Sequence, residues 1–574
     1  MENEPRTPRH HPFRILLLAP LLAACGANEG PVRSVLLVTL DTTNPSTLSC
    51  YGAPDGLTPH FDRLAEEGVL YSNARTPVPI TAPSHSSMMT GLYPLRHSVR
   101  MNGSMVLPES AITLAERARA RGIETAAFIA AVVLEDEFGL SQGFQTYDQP
   151  EGGATADPEA AVSRSCVTVT DRVLDWFEER DPSLPFFLWI HYFDAHGPHK
   201  CPEEFLGAAG GDPYLGEVGW IDREFGRVLA HMEEDGLLDE TLVVVTADHG
   251  EGRGRHGENT HGCFGFDSTL RVPLILRYPD GWSAGARFAD RVSLVDLYPT
   301  ISTALNLGVP ETHDGVDLFR RRVPEDRGVY FETYFGYISF GWSPLCGWVD
   351  SRGKYVHAST QEFYFPADRG EETNVIDEVE TRDQEGAIAE LSRRSRLEQP
   401  GLGGEDRSLQ AQIEKLGYAG AGTEFFRLPD PLDSSDRASP HTRAASLAGF
   451  LKAQSFVRRG QVNEAIRTLR EVMEGDPSNH TAQHLLAQCL MQAGRFHAAI
   501  DANRRAIELR EGEWVAPYLD MALCYEQLGR PEDAIASYER AFAFGAGPAA
   551  AKERWISLLE SVGRSAEAAS LRSK

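Results

Sequence analysis

The sequence predicts an α/β fold, a doubly wound sheet with strands buried on both faces, followed by an all-α repeat region. Short continuous apolar runs recur between residues 35 and 276, as expected for strands that are covered on both faces. Helical patterns separate these runs, which favours a parallel sheet with crossover helices. After residue 443, glycine and alanine recur at a fixed interval of helical-repeat length.

The chain has 574 residues, with 55 basic and 83 acidic side chains and a net charge of −28. A chain this acidic is a poor candidate for wrapping nucleic acid or coating an anionic membrane, so we expect no nucleic-acid partner. An anionic substrate would be repelled at long range. It would therefore be held by local cations, either metal ions or a few basic side chains.

The first residues are typical of an export signal. An apolar run at residues 15–22 is preceded by three basic residues, Arg6, Arg9 and Arg14. This run is too short to span a bilayer. Leu22-Ala-Ala-Cys25-Gly resembles a bacterial lipobox. That resemblance implies a lipoprotein signal peptide over residues 1–25, lipidation of Cys25 and a lipid-anchored, extracytoplasmic place in the bacterial cell envelope, with the anchor as the only membrane contact. A plain signal peptide with an accidental cysteine is the alternative.

Polar side chains follow the apolar runs at 35–40, 186–190 and 242–246. They are Asp41, Asp194 with His196, and Asp248 with His249. Ligands of doubly wound sheets bind beyond the carboxyl ends of the strands, so we expect a site there. A further run at 272–276 predicts another strand of the same sheet. We place this domain at residues 30–380 and a polar linker at 381–442.

A repeat fills residues 443–574. Gly460, Gly494, Gly529 and Gly563 are spaced by 34, 35 and 34 residues, and Ala465, Ala499, Ala534 and Ala568 follow at matching positions. This resembles the tetratricopeptide repeat and implies a solenoid of three to four helical pairs; an irregular helical bundle is the alternative. Because no catalytic residue types cluster here, we assign the repeats to recognition of a protein or peptide partner.

Ordered motifs in the first domain carry a second resemblance. They are Thr81-Ala-Pro-Ser-His85 with Thr90-Gly-Leu-Tyr-Pro94, Asp194-Ala-His196, Asp248-His-Gly-Glu251, and the segment 362–374. Together they resemble the sulfatase family within the alkaline-phosphatase superfamily. The resemblance implies an alkaline-phosphatase-like sheet and a metal-dependent hydrolase of sulfuric or phosphoric esters.

Asp41, Asp248 and His249 can supply a divalent-metal site, which would neutralise the oxygens of an anionic ester. In many sulfatases an asparagine follows the second aspartate and the metal is calcium. Here that residue is His249, and a nitrogen ligand favours Zn²⁺ or Mn²⁺ over Ca²⁺.

The nucleophile position departs from the sulfatase pattern. Sulfatases convert a cysteine or serine to formylglycine there, but the extra methyl group of Thr81 bars that oxidation. Thr81 would therefore attack directly, activated by the metal that it helps to bind. This is similar to nucleotide pyrophosphatase/phosphodiesterases, whose phosphoryl-binding asparagine matches Asn102. The Lys-Trp-His element of sulfatases is replaced by residues 130–132. The pattern leans to phosphate esters, with sulfate esters left open.

The number of metal ions in the site, one or two, is left open by the sequence. His261 matches a second-metal histidine of the two-metal relatives, and its companions would be Asp194 and His196. The spacing of Asp194 and His196 does not fit those relatives, and in one-metal sulfatases the histidine at the place of His196 contacts the anion instead. Three further histidines, His85, His97 and His256, are left open between structural and functional roles.

Two classes of function follow. The first is a metal-dependent hydrolase of anionic esters that uses Thr81 as nucleophile, with Asn102 and His196 in the catalytic set. The alternative is a non-catalytic tetratricopeptide scaffold whose sulfatase-like domain is degenerate and only binds. The complete ligand set favours the enzyme.

Overall fold

The computed structural model describes residues 32–150, 163–400, 428–510, 514–543 and 548–573. The predicted signal peptide and Cys25 lie outside these residues, as does part of the predicted linker. Among the described helices, none combines the length and apolar character needed to cross a bilayer. The seven described cysteines are all free thiols.

The structure has a strand-rich part and a purely helical part. The strands are β1 (Ser34–Leu40), β2 (Val69–Tyr71), β3 (Ala74–Arg75), β4 (Glu124–Phe128), β5 (Thr146–Asp148), β6 (Phe186–Tyr192), β7 (Thr241–Ala247), β8 (Leu274–Arg277), β9 (Ala286–Phe288), β10 (Val292–Ser293), β11 (Val329–Thr333), β12 (Leu345–Val349), β13 (Lys354–His357) and β14 (Glu362–Tyr364). Their helices are α1 (Pro59–Glu67), α2 (Thr81–Thr90), α3 (Pro94–His97), α4 (Leu114–Ala120), α5 (Cys166–Glu179), α6 (Glu203–Ala208), α7 (Pro213–Glu234), α8 (Asp267–Leu270), α9 (Leu297–Ala304), α10 (Phe335–Phe340) and α11 (Arg382–Ser392). The helical part contains α12 (Ala444–Arg458), α13 (Val462–Gly475), α14 (His480–Gln492), α15 (Phe496–Leu509), α16 (Val515–Gln527), α17 (Pro531–Ala543), α18 (Ala549–Ser561) and α19 (Ser565–Arg572).

The main sheet has eight strands in the order β5-β4-β6-β1-β7-β8-β2-β9. Its centre is parallel, as predicted, but β8 runs antiparallel to β7. The chain between β7 and β8 forms a long loop without a crossover helix that would return it to the start of the sheet, so β8 starts at the edge where β7 ends. The sheet is therefore mixed, and this corrects the expectation of a parallel strand at 272–276.

Strand register positions the predicted site. Leu40 of β1 pairs with both Tyr192 of β6 and Ala247 of β7. The next residues on β1 and β7 are Asp41 and Asp248, so two carboxylates leave neighbouring strands at one edge, about 4.8 Å apart along the sheet. Both strands are buried along their whole length, as their apolar sequences predict.

A second sheet of four antiparallel strands, β11-β12-β13-β14, follows the main sheet in the chain. The described parts of the predicted linker lie against this region. Ile388 and Leu391 of α11 share an apolar cluster with Tyr330, Tyr355 and other residues of these strands. The polar composition of this stretch thus reflects its solvent-facing side.

The C-terminal part consists of four antiparallel helical pairs, from α12/α13 to α18/α19. Gly460, Gly494, Gly529 and Gly563 each end the first helix of a pair with a positive φ of 67–83°, a conformation that glycine adopts without a steric penalty. The four alanines that follow them are fully buried between helices. Each recurring residue type therefore has its own structural cause: a left-handed turn for glycine and a close helix contact for alanine.

One apolar core joins the two parts. It runs from the main sheet through Phe340 and Trp342 to Leu447, Phe450 and the helices as far as Ala534. The last two helical pairs add a separate cluster around Trp555 and Ile556. The first repeats are consequently continuous with the α/β domain.

Candidate active site

The site is built on the ends of β1 and β7. Asp41, Asp248 and His249 follow these strands, are fully buried, and offer ligand atoms that all lie within 4.8 Å of one another. Asp248 Oδ1 accepts hydrogen bonds from the backbone N–H groups of Thr42, at 3.2 Å, and His249, at 2.8 Å. Thr42 has a positive φ of 50°, an uncommon conformation that aims its N–H at the carboxylate.

The tautomer of His249 fits a metal ligand. Its Nδ1 lies 3.0 Å from the carbonyl oxygen of Gly250, which can only accept, so Nδ1 carries the proton. The lone pair of Nε2 then faces Asp248 Oδ2 at 3.4 Å and Thr81 Oγ1 at 3.3 Å. A backbone carbonyl that fixes the second ring nitrogen is the usual support of a metal-binding histidine.

The unsatisfied atoms of the site point to a cation. Asp41 Oδ1 and Asp248 Oδ2 are buried carboxylate oxygens without a hydrogen-bond partner. Burial raises the pKa of Asp41 to about 7, and burial together with the charge of Asp41 raises the pKa of Asp248. Two buried carboxylates and a histidine lone pair that face one another repel unless a cation lies among them. The residues present therefore fit a divalent metal ion.

Thr81, the predicted nucleophile, is the first residue of α2 and is fully buried. Its Oγ1 lies 3.4 Å from Asp41 Oδ2 and 3.3 Å from His249 Nε2. The N-terminus of a helix carries partial positive charge and free N–H groups. The hydroxyl is thus placed beside the metal ligands and at the end of the helix that favours an anion.

Asn102, which the sequence analysis expects to bind an oxygen of the substrate, lies beside the start of α2. Its Oδ1 accepts a hydrogen bond from the Ala82 N–H at 2.8 Å. This bond orients the amide, and its Nδ2 is buried without a partner. A buried donor without an acceptor is costly, so this amide is ready to donate to an oxygen of a bound anion.

His191 is a site residue that the sequence analysis missed. Its Nδ1 accepts from the Ala130 N–H at 3.3 Å, so Nε2 carries the proton and donates to Asp41 Oδ2 at 3.3 Å. His191 therefore orients Asp41 and is not itself a ligand in this tautomer. Its position inside the apolar run of β6, opposite Thr39, was the available signal.

His85 has a structural role beneath the nucleophile. Its Nδ1 donates to the Thr81 carbonyl at 2.8 Å, and its Nε2 lies 3.0 Å from Thr39 Oγ1. Trp189 Nε1 donates to the same hydroxyl. Burial lowers the pKa of His85 to about 3, so it stays neutral and fixes the first turn of α2.

His196 and His261 form a second group with Glu251. Glu251 is a further residue that the sequence analysis did not assign to the site. The rings of His196 and His261 are 5.3 Å apart, those of His249 and His261 are 4.4 Å apart, and His261 Nδ1 lies 3.4 Å from Glu251 Oε2. His196 Nδ1 donates to the Gly197 carbonyl, and its Nε2 is buried without a partner. Burial and His261 lower the pKa of His196 to about 3, which leaves a lone pair on Nε2.

Asp194 lies at the N-terminus of α5. Its Oδ1 accepts from the Cys166 N–H at 3.0 Å, and a carboxylate at a helix start is stabilised by the free N–H groups there. Its Oδ2 is buried without a hydrogen-bond partner, and its role as a metal ligand stays a prediction.

Two other histidines with open roles lie away from the ligands. His97 accepts from the Val99 N–H at 3.1 Å and bonds Ser87 Oγ at 2.9 Å, which makes it a buried structural residue. His256 bonds the Gly370 carbonyl at 2.9 Å and stacks on Phe266.

Comparison with known proteins agrees with this geometry. Residues 33–307 match the Sulfatase family model, and residues 458–541 match the model of anaphase-promoting complex, cyclosome, subunit 3. Steryl-sulfatase of Mus musculus is 26% identical over 438 residues, covering 54% of this chain and 69% of that protein. Arylsulfatase A of Homo sapiens is 27% identical over 366 residues, covering 53% and 70%.

Among solved structures, the phosphonate monoester hydrolase of Agrobacterium radiobacter superimposes with a TM-score of 0.53 at 23% identity. The match covers 63% of this chain and 95% of that one. At this identity the likeness concerns the fold.

Proposed function

We propose that the α/β part of this chain, an ester hydrolase whose residues 33–307 match the Sulfatase family model, hydrolyses phosphate esters with Thr81 as a direct nucleophile. The observation that carries the proposal is the position of Thr81 Oγ1. It lies within 3.4 Å of both Asp41 Oδ2 and His249 Nε2, in the place of the oxidisable residue of sulfatases. Sulfate esters are the second substrate class to test.

Asp41, Asp248, His249 and Thr81 would hold the metal ion, with Zn²⁺ or Mn²⁺ favoured by the nitrogen ligand. Such an ion would neutralise the anionic oxygens of the ester and favour loss of the Thr81 proton. The protein residues account for the rest. Asn102 Nδ2 would donate to an oxygen of the transferring group, where charge develops.

Thr81 Oγ1 would form a bond to the central atom of the ester while the bond to the leaving oxygen breaks. Water would then attack the same centre and release Thr81. His196 Nε2, with its free lone pair, is suited to accept the proton of that water. Glu251 and His261 would orient the histidine side of the site.

The other expectations from the sequence complete the proposal. Cys25 would carry the lipid anchor in the bacterial cell envelope. The part of the repeats that faces away from the α/β domain would bind a protein or peptide partner.

The test is Thr81→Ala, assayed with aryl phosphate monoesters, aryl phosphate diesters and aryl sulfates. We expect turnover to fall by on the order of 10³-fold or more, since loss of a nucleophile removes the covalent route. Thr81→Ser should retain part of the activity. Thr90→Ser, at the other end of the same helix, is the matched control and should behave like wild type. Unchanged turnover of Thr81→Ala, or formylglycine in an intact mass of the wild type, would refute the mechanism.

A further inference from the structure

The first repeats pack firmly against the α/β domain. Phe340 and Phe450 are in edge contact with ring centroids 5.4 Å apart. Trp342, which is fully buried, donates from Nε1 to Asp476 Oδ2 at 2.8 Å across 134 residues of sequence. His480 Nε2 bonds the Ile338 carbonyl at 3.1 Å. These contacts tie the turn between α13 and α14 to α10.

A second contact reaches the loop that carries part of the active site. The loop at residues 252–262 follows Glu251 and contains His261. Within this loop, Gly257 has a positive φ of 80°, and a side chain there would come within 2.8 Å of Ala444 Cβ, at the start of α12. The loop and the first repeat helix therefore meet without space between them.

His441, just before α12, is the centre of this second contact. Its Nε2 donates to the Phe264 carbonyl at 2.7 Å, and its Nδ1 bonds Glu362 Oε2 at 2.6 Å. The two bonds fix the imidazole ring between the backbone of Phe264 and the carboxylate of Glu362. Burial raises the pKa of Glu362, but the hydrogen bond and the charge of His441 outweigh burial and hold this pKa below its usual value.

A stack of three rings extends the contact into the loop. Phe266 lies between His441, at 4.1 Å between centroids, and His256 of the loop, at 3.7 Å. His441 thus holds the loop in two ways. It binds the backbone three residues after His261, and it supports the ring on which His256 rests.

We propose that His441 is a positioning residue for the active-site loop, so that the segment leading into the repeats completes the hydrolase. The inference rests on the proposed function for the roles of Glu251 and His261. It gives the end of the predicted linker a role in the site, because the loop depends on a side chain that lies three residues before α12.

The experiment uses the full chain with three substitutions. His441→Ala should lower kcat for an aryl phosphate by about 10- to 100-fold, as expected when catalytic groups are misplaced, with KM within about twofold. Metal content should be unchanged, because Asp41, Asp248 and His249 lie outside the loop. Amide hydrogen exchange of residues 252–262 should become faster. His441→Gln, which can still donate to Phe264, should restore part of both effects.

Trp342→Phe is the matched control, since it removes the hydrogen bond to Asp476 between the two parts and leaves the contact of His441 in place. It should lower the melting temperature but leave kcat and exchange of the loop as in wild type. Unchanged loop exchange in His441→Ala would overturn the inference, as would an equal acceleration in Trp342→Phe. Exchange decides the question even if the wild type turns over none of the esters; that outcome would refute the proposed function alone.

Discussion

The two halves of the active site are built differently. The strand-end half, Asp41, Asp248 and His249, follows directly from two paired strands whose register places its members side by side. The loop half, Glu251 and His261, lies on a segment with four left-handed residues between them that are not required by any strand or helix. The strand-end half is therefore positioned by the sheet itself, whereas the loop half depends on contacts from outside the sheet.

The strongest test of this difference removes a ligand of the strand-end half. Asp248→Asn keeps an oxygen for the two backbone donors but loses the charge. We expect metal content to fall below about a tenth and turnover to fall by on the order of 10³-fold, about 4 kcal/mol of transition-state stabilisation. Metal analysis and kinetics on purified protein measure both.

The control is Asp222→Asn, a buried carboxylate that also accepts two backbone N–H groups, from His60 and Phe61. It should keep metal and activity. If Asp248→Asn retains full metal content, the strand-end half is not the metal site.

The loop half should give a smaller effect of another kind. His261→Gln should lower turnover by about 10²-fold, as expected when the catalytic group that it orients is misplaced. The strand-end half should keep its ion. The number of metal ions per chain in His261→Gln distinguishes two outcomes. Loss of one of two ions would show a second ion at His261. Complete loss of metal would show that the two halves are not independent.

His191 tests how the strand-end half is held. His191→Leu removes the hydrogen bond to Asp41 Oδ2 and should weaken metal affinity by about 10- to 100-fold, as substitutions behind metal ligands do. Competition with a chelator measures this affinity. His97→Leu replaces a buried histidine away from the ligands and should leave affinity as it is. Equal effects of both substitutions would assign the change to general loss of packing.

The last test concerns the stability of the protein and not its turnover. Burial raises the pKa of Glu258 from 4.5 to about 8. The folded chain thus keeps this proton up to about pH 8, whereas the unfolded chain loses it near pH 4.5. The free energy of unfolding should fall as pH rises between these values, by at most about 1.4 kcal/mol per pH unit.

Glu258→Gln should flatten this dependence, and urea unfolding of both proteins from pH 5 to 8 measures it. Parallel curves for the two proteins would contradict the prediction.

The sequence predicted the strand-end half because an aspartate directly after a buried strand lies at the edge of the sheet where that strand ends. It also predicted Thr81 and Asn102, through motif order. It missed His191 because a histidine in a continuous apolar strand is indistinguishable from a core residue until its partners are known. It missed Glu251 because the path of a loop depends on contacts that composition does not encode.

The fold shows the same division. The repeat was predicted in full from glycine and alanine spacing, since each position has a local steric cause. The antiparallel β8 was not, because strand direction depends on the path of the preceding loop. The packing of Trp342 on Asp476 joins residues far apart in sequence, and neither residue is unusual in its own neighbourhood.

The shared apolar core has a consequence for how this protein can change over evolutionary time. Repeat arrays gain and lose units readily, because each unit contacts only its neighbours. Here the first units are also neighbours of the α/β domain, whereas the cluster around Trp555 is separate from it. Duplication or loss of repeats is thus tolerated at the C-terminal end of the array but not at the end that packs on the α/β domain. Relatives of this chain should vary in the number of helical pairs after α15, while the pair next to α10 stays with the hydrolase.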